Sequence, residues 1–135
     1  MIEAMIAGIG HDVTDMDRVE ALLASKAGAR FLDRILTSRE RDLAGNYEGK
    51  RLAQFTAGRF AAKEAVVKAL GCGIGAKVGF SDIDILRGPE GKPECTLSGG
   101  AWERLALMPE RHRIHITITH DRSIASAVAI VERTE

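Results

Sequence analysis

The residues with the clearest chemical potential lie in one alanine-rich stretch, "GRFAAKEAVVKALG" at positions 58–71. At about 100° per residue, Glu64 and Lys68 share one helix face with the small side chains of Ala57 and Ala61. These small neighbours leave room for a bulky ligand beside the carboxylate. An ordinary i,i+4 ion pair on a solvated surface has the same spacing, so the pair alone leaves both interpretations open.

The charges around this stretch favour a polyanionic ligand. Between positions 50 and 68 there are five basic residues and one acid, although the whole chain balances 19 Lys and Arg against 19 Asp and Glu. A local excess of positive charge suggests a local polyanion. On an ideal helix Arg59 projects about 140° away from Glu64, towards the apolar side, where a guanidinium is rare without an anionic partner or an interface. The five bases are Lys50, Arg51, Arg59, Lys63 and Lys68.

Three further segments carry candidate groups at the ends of predicted elements. "GIGHD" forms a strand-end turn that carries the carboxylate of Asp12, and "GCGIG" at 71–75 is a loop whose amides can approach a phosphate. His120, where "ITITH" enters its turn, can offer a ring nitrogen to a phosphate. Plain turns and a structural histidine are the alternatives. "GCGIG" follows a predicted helix instead of a strand, which excludes a Rossmann fingerprint.

A second basic cluster lies between Lys26 and Arg41. It contains five bases against Asp33 and Glu40. Such a run is usually a solvated helix face. The alternative is a docking surface for an acidic protein, and both remain open at this level.

The elements that position these groups are helical in the first half of the chain. "AMIAGIGHDV" is predicted as a short strand broken by its glycines, and a helix through "RVEALLASK" starts with a capping-box-like segment at 14–17 and ends or is interrupted at Gly28. "ARFLDRIL" is a second amphipathic piece, and "TSRE" at 37–40 caps a third helix. One long helix is predicted from about Lys50 to Leu70, with Gly71 as its terminator.

The second half changes to the alternating pattern of strands. "SDIDILRG" and "ECTLSG" flank the turn-rich "PEGKP" as a hairpin, a short helix follows around "GGAWERLAL", and "RIHITITH" pairs with "SIASAVAIVE" across "HDRS". We therefore predict an α+β protein, a single domain over 1–135, with a helical first half packed on a mostly antiparallel sheet.

Composition excludes several other classes. The length of 135 residues suits one domain, and neither a signal peptide nor a run of about 20 apolar residues is present, which predicts a cytoplasmic protein without membrane contact. The two cysteines are too few for a disulfide framework. A net charge of zero and 4% aromatic residues argue against nucleic-acid binding.

Taken together, these segments resemble the holo-[acyl carrier protein] synthases, the small bacterial type of 4′-phosphopantetheinyl transferase. "GIGHDVTDMDR" resembles the N-terminal motif of that family, and "FTAGRFAAKEAVVKALGCGIG" resembles its long helix signature; "DIDI", "GKP" and "ITITHD" follow in the family's order. The resemblance covers nearly the whole chain and implies the 4′-phosphopantetheinyl transferase fold. His11 is a local departure.

The resemblance implies a magnesium-dependent transferase of fatty acid biosynthesis. Such enzymes move the 4′-phosphopantetheine arm of coenzyme A to a serine of apo acyl carrier protein and release adenosine 3′,5′-bisphosphate. By similarity, Asp12 and Glu64 hold Mg²⁺, which prefers one or two carboxylates together with phosphate oxygens and water. Lys68 meets the pyrophosphate, and the base that takes the serine proton is either Glu64 or a magnesium-bound water.

The same resemblance implies the remaining contacts. It surrounds the 3′-phosphate and adenine of coenzyme A with four basic side chains and the amides of the loop that contains Gly73, and it implies homotrimers with active sites between subunits. It leaves Lys63 as a solvated surface lysine. The four basic residues are Lys50, Arg51, Arg59 and His120, and those implied to dock the acidic helix of the carrier protein are Arg18, Arg30 and Arg34.

A non-catalytic module that binds a nucleotide or another polyanion is the main alternative from a different class. Asp12 and Glu64 discriminate between the two, because a simple anion binder gains nothing from carboxylates beside its ligand, whereas a magnesium-dependent transferase needs them. Nucleic-acid binding ranks last.

Overall fold

The chain folds as an α+β protein in which one long helix packs across an antiparallel sheet, as the sequence predicts. A computed structural model describes residues 3–135. No helix within that range is both long enough and apolar enough to cross a membrane. In chain order the elements are β1 (Ala4–Asp15), α1 (Met16–Ala24), α2 (Gly28–Ile35), α3 (Ser38–Ala44), α4 (Gly49–Ala69), β2 (Ile83–Arg87), β3 (Pro93–Leu97), α5 (Gly99–Leu105), β4 (His112–His120) and β5 (Ile124–Thr134).

The strands form two antiparallel sheets. One has the order β1-β5-β4, and the other is the β2-β3 hairpin. Both hairpins predicted from the alternating pattern are confirmed, with Ile85 opposite Cys95 in one and Ile116 opposite Ala129 in the other. The sheet that covers α4 therefore combines the first strand of the chain with the last two.

Helix α4 lies close to the sheet because the residues between them are small. Ala61, Ala65 and Ala129 are each 0% exposed. On β1 a methyl group at Gly8 would lie 1.8 Å from the carbonyl oxygen of Ala69, and one at Gly10 would lie 1.9 Å from that of Ala65. Only glycine permits this approach of two backbones.

Two expectations for β1 are therefore wrong. Gly8 and Gly10 do not break the strand, which is continuous over 12 residues and shifts register only between Ile6 and Gly8. Asp12 does not lie in a turn but within the strand, opposite Ala127. The local sequence pattern predicts that the two glycines interrupt the strand, whereas in the structure they permit its close contact with α4.

The helix boundaries agree with the predicted signals at all but two points. The capping box of Thr37 and Glu40 is present, and Gly71 follows α4 with φ of +80°. Helix α1 begins one residue later than predicted, because the side chain of Asp15 caps it by accepting from the N–H of Asp17 at 3.0 Å. Gly28 is not the end of that helix but the first residue of α2.

The expectation of a solvated Lys63 is also wrong. Its side chain is 0% exposed, and its Nζ donates to Oε1 of Glu40 at 2.5 Å and to the carbonyl oxygens of Ile35 at 2.7 Å and Phe80 at 3.1 Å. A helical wheel assigns one buried face, but α4 is covered by the sheet on one side and by α3 and the β2 region on another. Its position between two layers explains why a basic residue outside the apolar stripe is buried.

Candidate active site

An acidic cavity forms where β1 crosses α4. Asp12 projects from the strand and Glu64 from the helix, and both line a space of about 230 Å³. Arg18 of α1 and the aromatic rings of Phe31 and Phe60 lie along the same cavity. The structure thus brings together two carboxylates that are distant in the sequence, with a basic residue and apolar walls beside them.

Lys68 binds directly to Asp12. Its Nζ lies 3.1 Å from Oδ1 of Asp12 and 3.0 Å from the carbonyl oxygen of His11, while the hydroxyl of Thr14 lies 3.4 Å from Oδ2 of Asp12. The Lys68 side chain is 52% exposed and that of Asp12 is 17% exposed. The ammonium group therefore stays open to solvent and can meet a ligand without leaving the carboxylate.

The environment of Glu64 raises its pKa above the ordinary value. Burial is the largest cause and the negative charge of Asp12 the second, and Lys68 opposes both. A carboxylate that already repels its neighbour is stabilised by any cation placed between the two. The proximity of Asp12 and Glu64 therefore favours the binding of a cation between them.

The donor set fits magnesium. Mg²⁺ binds through one or two carboxylates together with waters and substrate phosphates, and it does not require a closed protein cage. Throughout residues 3–135, no three His, Cys, Asp or Glu side chains are grouped as metal ligands. The residues that would hold the ion are therefore Asp12 and Glu64, with its remaining ligands supplied by substrate and solvent.

A second, cationic cavity of about 250 Å³ lies on another side of α4. Three arginines and one histidine line it, its lining includes no carboxylate, and Tyr47 and Phe55 supply aromatic surface. Such a combination suits a phosphate attached to a heteroaromatic ring. The basic lining residues are Arg51, Arg59, Arg87 and His120.

Arg59 is held firmly in this cationic cavity. Its Nε donates to the carbonyl oxygen of Ile85 at 3.2 Å, and its guanidinium carbon lies 4.3 Å from the ring centroid of Phe55. Burial lowers its pKa, the charge of Glu40 raises it, and nearby Arg87 lowers it further. A half-buried guanidinium with a second one beside it is an unfavourable arrangement that a bound anion would relieve.

The structure brings most, but not all, of the predicted coenzyme A contacts together. Arg51, Arg59 and His120 share the cationic cavity, but Lys50 instead lines a separate groove with Glu20 and Leu23 of α1. Gly73 lines neither the acidic nor the cationic cavity. Successive residues on a helix diverge by about 100°, which separates Lys50 from Arg51.

The sequence interpretation missed Arg87, the fourth basic residue of the cationic cavity. It ends β2, immediately before the turn that carries Gly91 and Pro93 into the same cavity. A basic residue at the end of a predicted strand beside a "GKP" turn was the available signal. Its significance depends on the tertiary approach of that hairpin to α4, which no local pattern contains.

The basic cluster after α1 divides into two groups. Arg39 and Arg41 face Asp84 at 4.0 Å and Asp33 at 3.8 Å. The other members of the cluster, Lys26, Arg30 and Arg34, are exposed, and so is Arg18 on α1. Arg18 lines the acidic cavity, and Arg30 and Arg34 lie on α2, whose Phe31 lines the same cavity.

His11 precedes Asp12 in β1, so the two side chains project to opposite faces of the strand. Its side chain is exposed, and Nε2 lies 3.0 Å from the hydroxyl of Ser126 on the neighbouring strand. It does not line the acidic cavity that Asp12 lines.

Comparison with known proteins identifies the family. The sequence model of the 4′-phosphopantetheinyl transferase superfamily matches residues 8–128. The holo-[acyl-carrier-protein] synthase of Bacillus mycoides is 41% identical over 128 residues, covering 95% of this chain and 97% of that protein. Among solved structures, the holo-(acyl-carrier-protein) synthase of Bacillus anthracis in complex with CoA (3′,5′-ADP) is 40% identical with a TM-score of 0.81, covering 96% of this chain and 98% of that one. The Helicobacter pylori synthase in complex with coenzyme A is 32% identical with a TM-score of 0.77, covering 91% and 98% of the two chains.

Proposed function

The chain belongs to the 4′-phosphopantetheinyl transferase superfamily, and within it to the holo-[acyl carrier protein] synthases, and we propose that it catalyses magnesium-dependent transfer of 4′-phosphopantetheine from coenzyme A to apo acyl carrier protein. The acceptor is a serine hydroxyl, and the second product is adenosine 3′,5′-bisphosphate. The relatives of known structure that contain coenzyme A support this donor. We further propose that residues 1–135 act as one transferase domain.

The single observation that carries the proposal is the convergence of Asp12, Glu64 and Lys68. In a protein that only binds a polyanion, two carboxylates next to the ligand would weaken the binding. A phosphoryl-type transfer at a pyrophosphate uses both kinds of charge, because carboxylates hold the metal and the ammonium meets the phosphate oxygens. The 3.1 Å contact between Lys68 and Asp12 supports a common task for these residues.

In the proposed reaction, the serine oxygen bonds to the phosphorus that carries the pantetheine arm. The bond from that phosphorus to the bridging oxygen breaks, and the oxygen leaves with its electron pair on adenosine 3′,5′-bisphosphate. Magnesium held by Asp12 and Glu64 would neutralise part of the pyrophosphate charge. Lys68 stabilises the charge that grows on the leaving oxygen, and Glu64 is the proposed acceptor of the serine proton.

We place the 3′-phosphate and adenine of coenzyme A in the cationic cavity. Arg51, Arg59 and His120 retain the roles that the family resemblance implies, and we add Arg87 to them. Lys50 and the loop at Gly73 contact coenzyme A in this proposal only where a neighbouring subunit completes the site, because neither lines the cationic cavity of its own chain.

We propose a homotrimer with active sites between subunits, and the positions of the two cavities support the sharing of each site. Arg59 and Glu64 lie on the same helix but line different cavities, and we propose that each coenzyme A contacts the cationic cavity of one subunit and the acidic cavity of another. The outer face of β1 also carries exposed apolar side chains, with Ile9 61% and Val13 50% exposed. A face of this kind, next to Val128 and Ile130 in the strand register, suits contact with a second copy.

The acyl carrier protein is proposed to dock on Arg18, Arg30 and Arg34. Carrier proteins present an acidic recognition helix, and exposed arginines around the acidic cavity attract such a helix and orient its serine towards Glu64. Phe31 and Phe60 add apolar contact at the same mouth. We assign the reaction to fatty acid biosynthesis in the cytoplasm, where the free thiols of Cys72 and Cys95 would stay reduced.

The proposal is tested by the mass of the carrier protein. Purified protein is incubated with coenzyme A, Mg²⁺ and an apo acyl carrier protein, and the carrier is then weighed by mass spectrometry. We expect a gain of one phosphopantetheine, lost with a chelator or with Asp12→Ala and retained with Glu103→Ala, an exposed acid on α5. No mass gain, or a gain that survives Asp12→Ala, would overturn the proposal.

A further inference from the structure

Lys63 and Glu40 form a fully buried ion pair beneath the cationic cavity. Nζ and Oε1 are 2.5 Å apart, and both side chains are 0% exposed. Burying two charges is costly, and such a pair is a poor device for stability because well-packed apolar residues often serve as well. The other donors and acceptors around it are satisfied, with Ile35 and Phe80 accepting from the ammonium group through their carbonyl oxygens. Its geometry therefore points to a further role.

The carboxylate of Glu40 connects three separate elements. Oε1 accepts from Lys63 of α4 and, at 2.8 Å, from the backbone N–H of Thr37 at the start of α3. Oε2 accepts from the backbone N–H of Ile85 in β2 at 2.9 Å. The position of β2 relative to α4 is thus set through one buried side chain.

Ile85 carries this connection into the cationic cavity. Its N–H donates to Glu40, and its carbonyl oxygen accepts from Nε of Arg59 at 3.2 Å. Two residues further along β2, Arg87 lines the same cavity. The two arginines that face a bound anion from α4 and from β2 therefore depend on the same strand segment.

We propose that Glu40 and Lys63 are positioning residues for the cationic cavity. They hold Ile85 so that Arg59 and Arg87 converge on one phosphate, and through this convergence they set the preference for coenzyme A over dephospho-coenzyme A. This inference rests on the proposed function, because it takes the 3′-phosphate as the group that the arginines bind. A purely structural ion pair would support the fold without changing this preference.

The test compares two ligands that differ by one phosphate. Binding of adenosine 3′,5′-bisphosphate and of adenosine 5′-monophosphate is measured by titration calorimetry for the wild-type protein and for Glu40→Gln. A glutamine amide cannot accept from Lys63, Thr37 and Ile85 together, because one of its two terminal atoms is a donor. We expect affinity for the bisphosphate to fall about tenfold and affinity for the monophosphate to change less than about twofold.

A matched control separates positioning from loss of stability. Val131→Ala removes a buried side chain that is 2% exposed and pairs with Ile114, at the end of β4 remote from His120. Denaturant unfolding of both variants gives their stabilities. We expect Val131→Ala to be less stable than wild type but to retain the ratio of the affinities for bisphosphate and monophosphate. In Glu40→Gln we expect that ratio to fall.

Each outcome has a definite meaning. If the wild-type protein shows no preference for the bisphosphate, the assignment of the cationic cavity fails, and with it the proposed function at this site. If the wild-type protein has the preference and Glu40→Gln retains it, the positioning role is overturned while the proposed function stands. Should Glu40→Gln not fold, Glu40→Asp keeps the charge but is one methylene too short to reach all three donors; an unchanged preference in that variant also overturns the inference.

Discussion

Nζ of Lys68 lies 3.1 Å from Oδ1 of Asp12, although the two residues are 56 positions apart in the chain. The contact joins α4 to β1, and it places the exposed ammonium of Lys68 beside a proposed metal ligand. Because the same Nζ donates to the carbonyl oxygen of His11 at 3.0 Å, the lysine is oriented before any ligand binds. Preorganised charge of this kind is what lowers the barrier of a phosphoryl-type transfer.

Removal of this ammonium should reduce the rate of transfer more than the binding of coenzyme A. For Lys68→Met we expect kcat to fall about 10²- to 10³-fold, as when one preorganised donor is lost from an active site, with a much smaller change in the KM for coenzyme A. Steady-state transfer to the carrier protein measures both constants. Lys92→Met, which removes an exposed lysine of the β2-β3 turn, serves as the control and should retain wild-type kcat. A normal kcat in Lys68→Met would contradict the proposed role.

The backbones of β1 and α4 are so close at Gly10 that no side chain should fit at this position. A methyl group there would lie 1.9 Å from the carbonyl oxygen of Ala65, so backbone must move. We expect Gly10→Ala to lower the free energy of unfolding by about 3 kcal/mol or to prevent folding. Gly73→Ala, where an added methyl group meets nothing within 4 Å, should remain within about 0.5 kcal/mol of wild type. Urea denaturation of both variants checks the difference, and equal stabilities would contradict it.

Much of this fold could be predicted because its signals are local. The capping box at Thr37, the alternation in β4 and β5 and the glycine after α4 each act within a few residues. The interpretation of Gly8 and Gly10 failed because the reason for those glycines is a helix more than 50 residues away along the chain. The local sequence pattern predicts the strand, but it does not show which distant element packs against that strand.

The candidate site was predictable in its residue types but not in its grouping. The charge excess on α4 predicts an anion-binding site, and Arg51 and Arg59 share one cavity, yet Lys50 lies outside it, Arg87 lies inside it, and Lys63 is buried against Glu40. The positions of Arg87 and Lys63 arise from the β2-β3 hairpin and α3, which cover α4 on a side that the main sheet does not, whereas Lys50 diverges from Arg51 by about 100° around the helix. A helical wheel does not contain that second layer.

The two basic surfaces should affect different substrates. Arg18→Ala is expected to raise the KM for the carrier protein about tenfold and leave the KM for coenzyme A within about twofold, because a rim charge steers a macromolecular partner. Arg59→Ala should instead raise the KM for coenzyme A about tenfold and leave the KM for the carrier protein within about twofold. The effect of Arg18→Ala should also shrink at high ionic strength, where exposed charges are screened. Initial rates with each substrate varied in turn provide the test, and equal effects of Arg18→Ala on both KM values would refute the docking role.

The raised pKa of Glu64 predicts a pH-dependent cost in stability. A carboxyl group whose pKa is higher in the folded protein than in the unfolded chain favours folding while protonated, and this contribution is lost as the pH rises through the folded pKa. Glu64→Gln keeps a neutral group at every pH. In the absence of divalent cations, we therefore expect Glu64→Gln to be more stable than wild type at neutral pH, with the difference disappearing below the ordinary value of 4.5. Urea midpoints across this range measure it, and a Glu64→Gln variant less stable than wild type at neutral pH would show the sign to be wrong.

The division of the site between two cavities predicts that two inactive variants restore each other. Asp12→Ala damages the acidic cavity and Arg59→Ala the cationic cavity, so each alone should lose most activity. If every active site combines the acidic cavity of one subunit with the cationic cavity of the next, random mixing in equal amounts leaves about a quarter of the sites intact, with the acidic half from Arg59→Ala and the cationic half from Asp12→Ala. Transfer assays after the two variants are unfolded together and refolded should therefore show about a quarter of wild-type activity. Sites contained within single subunits would give no recovery, because every chain in the mixture carries a damaged half.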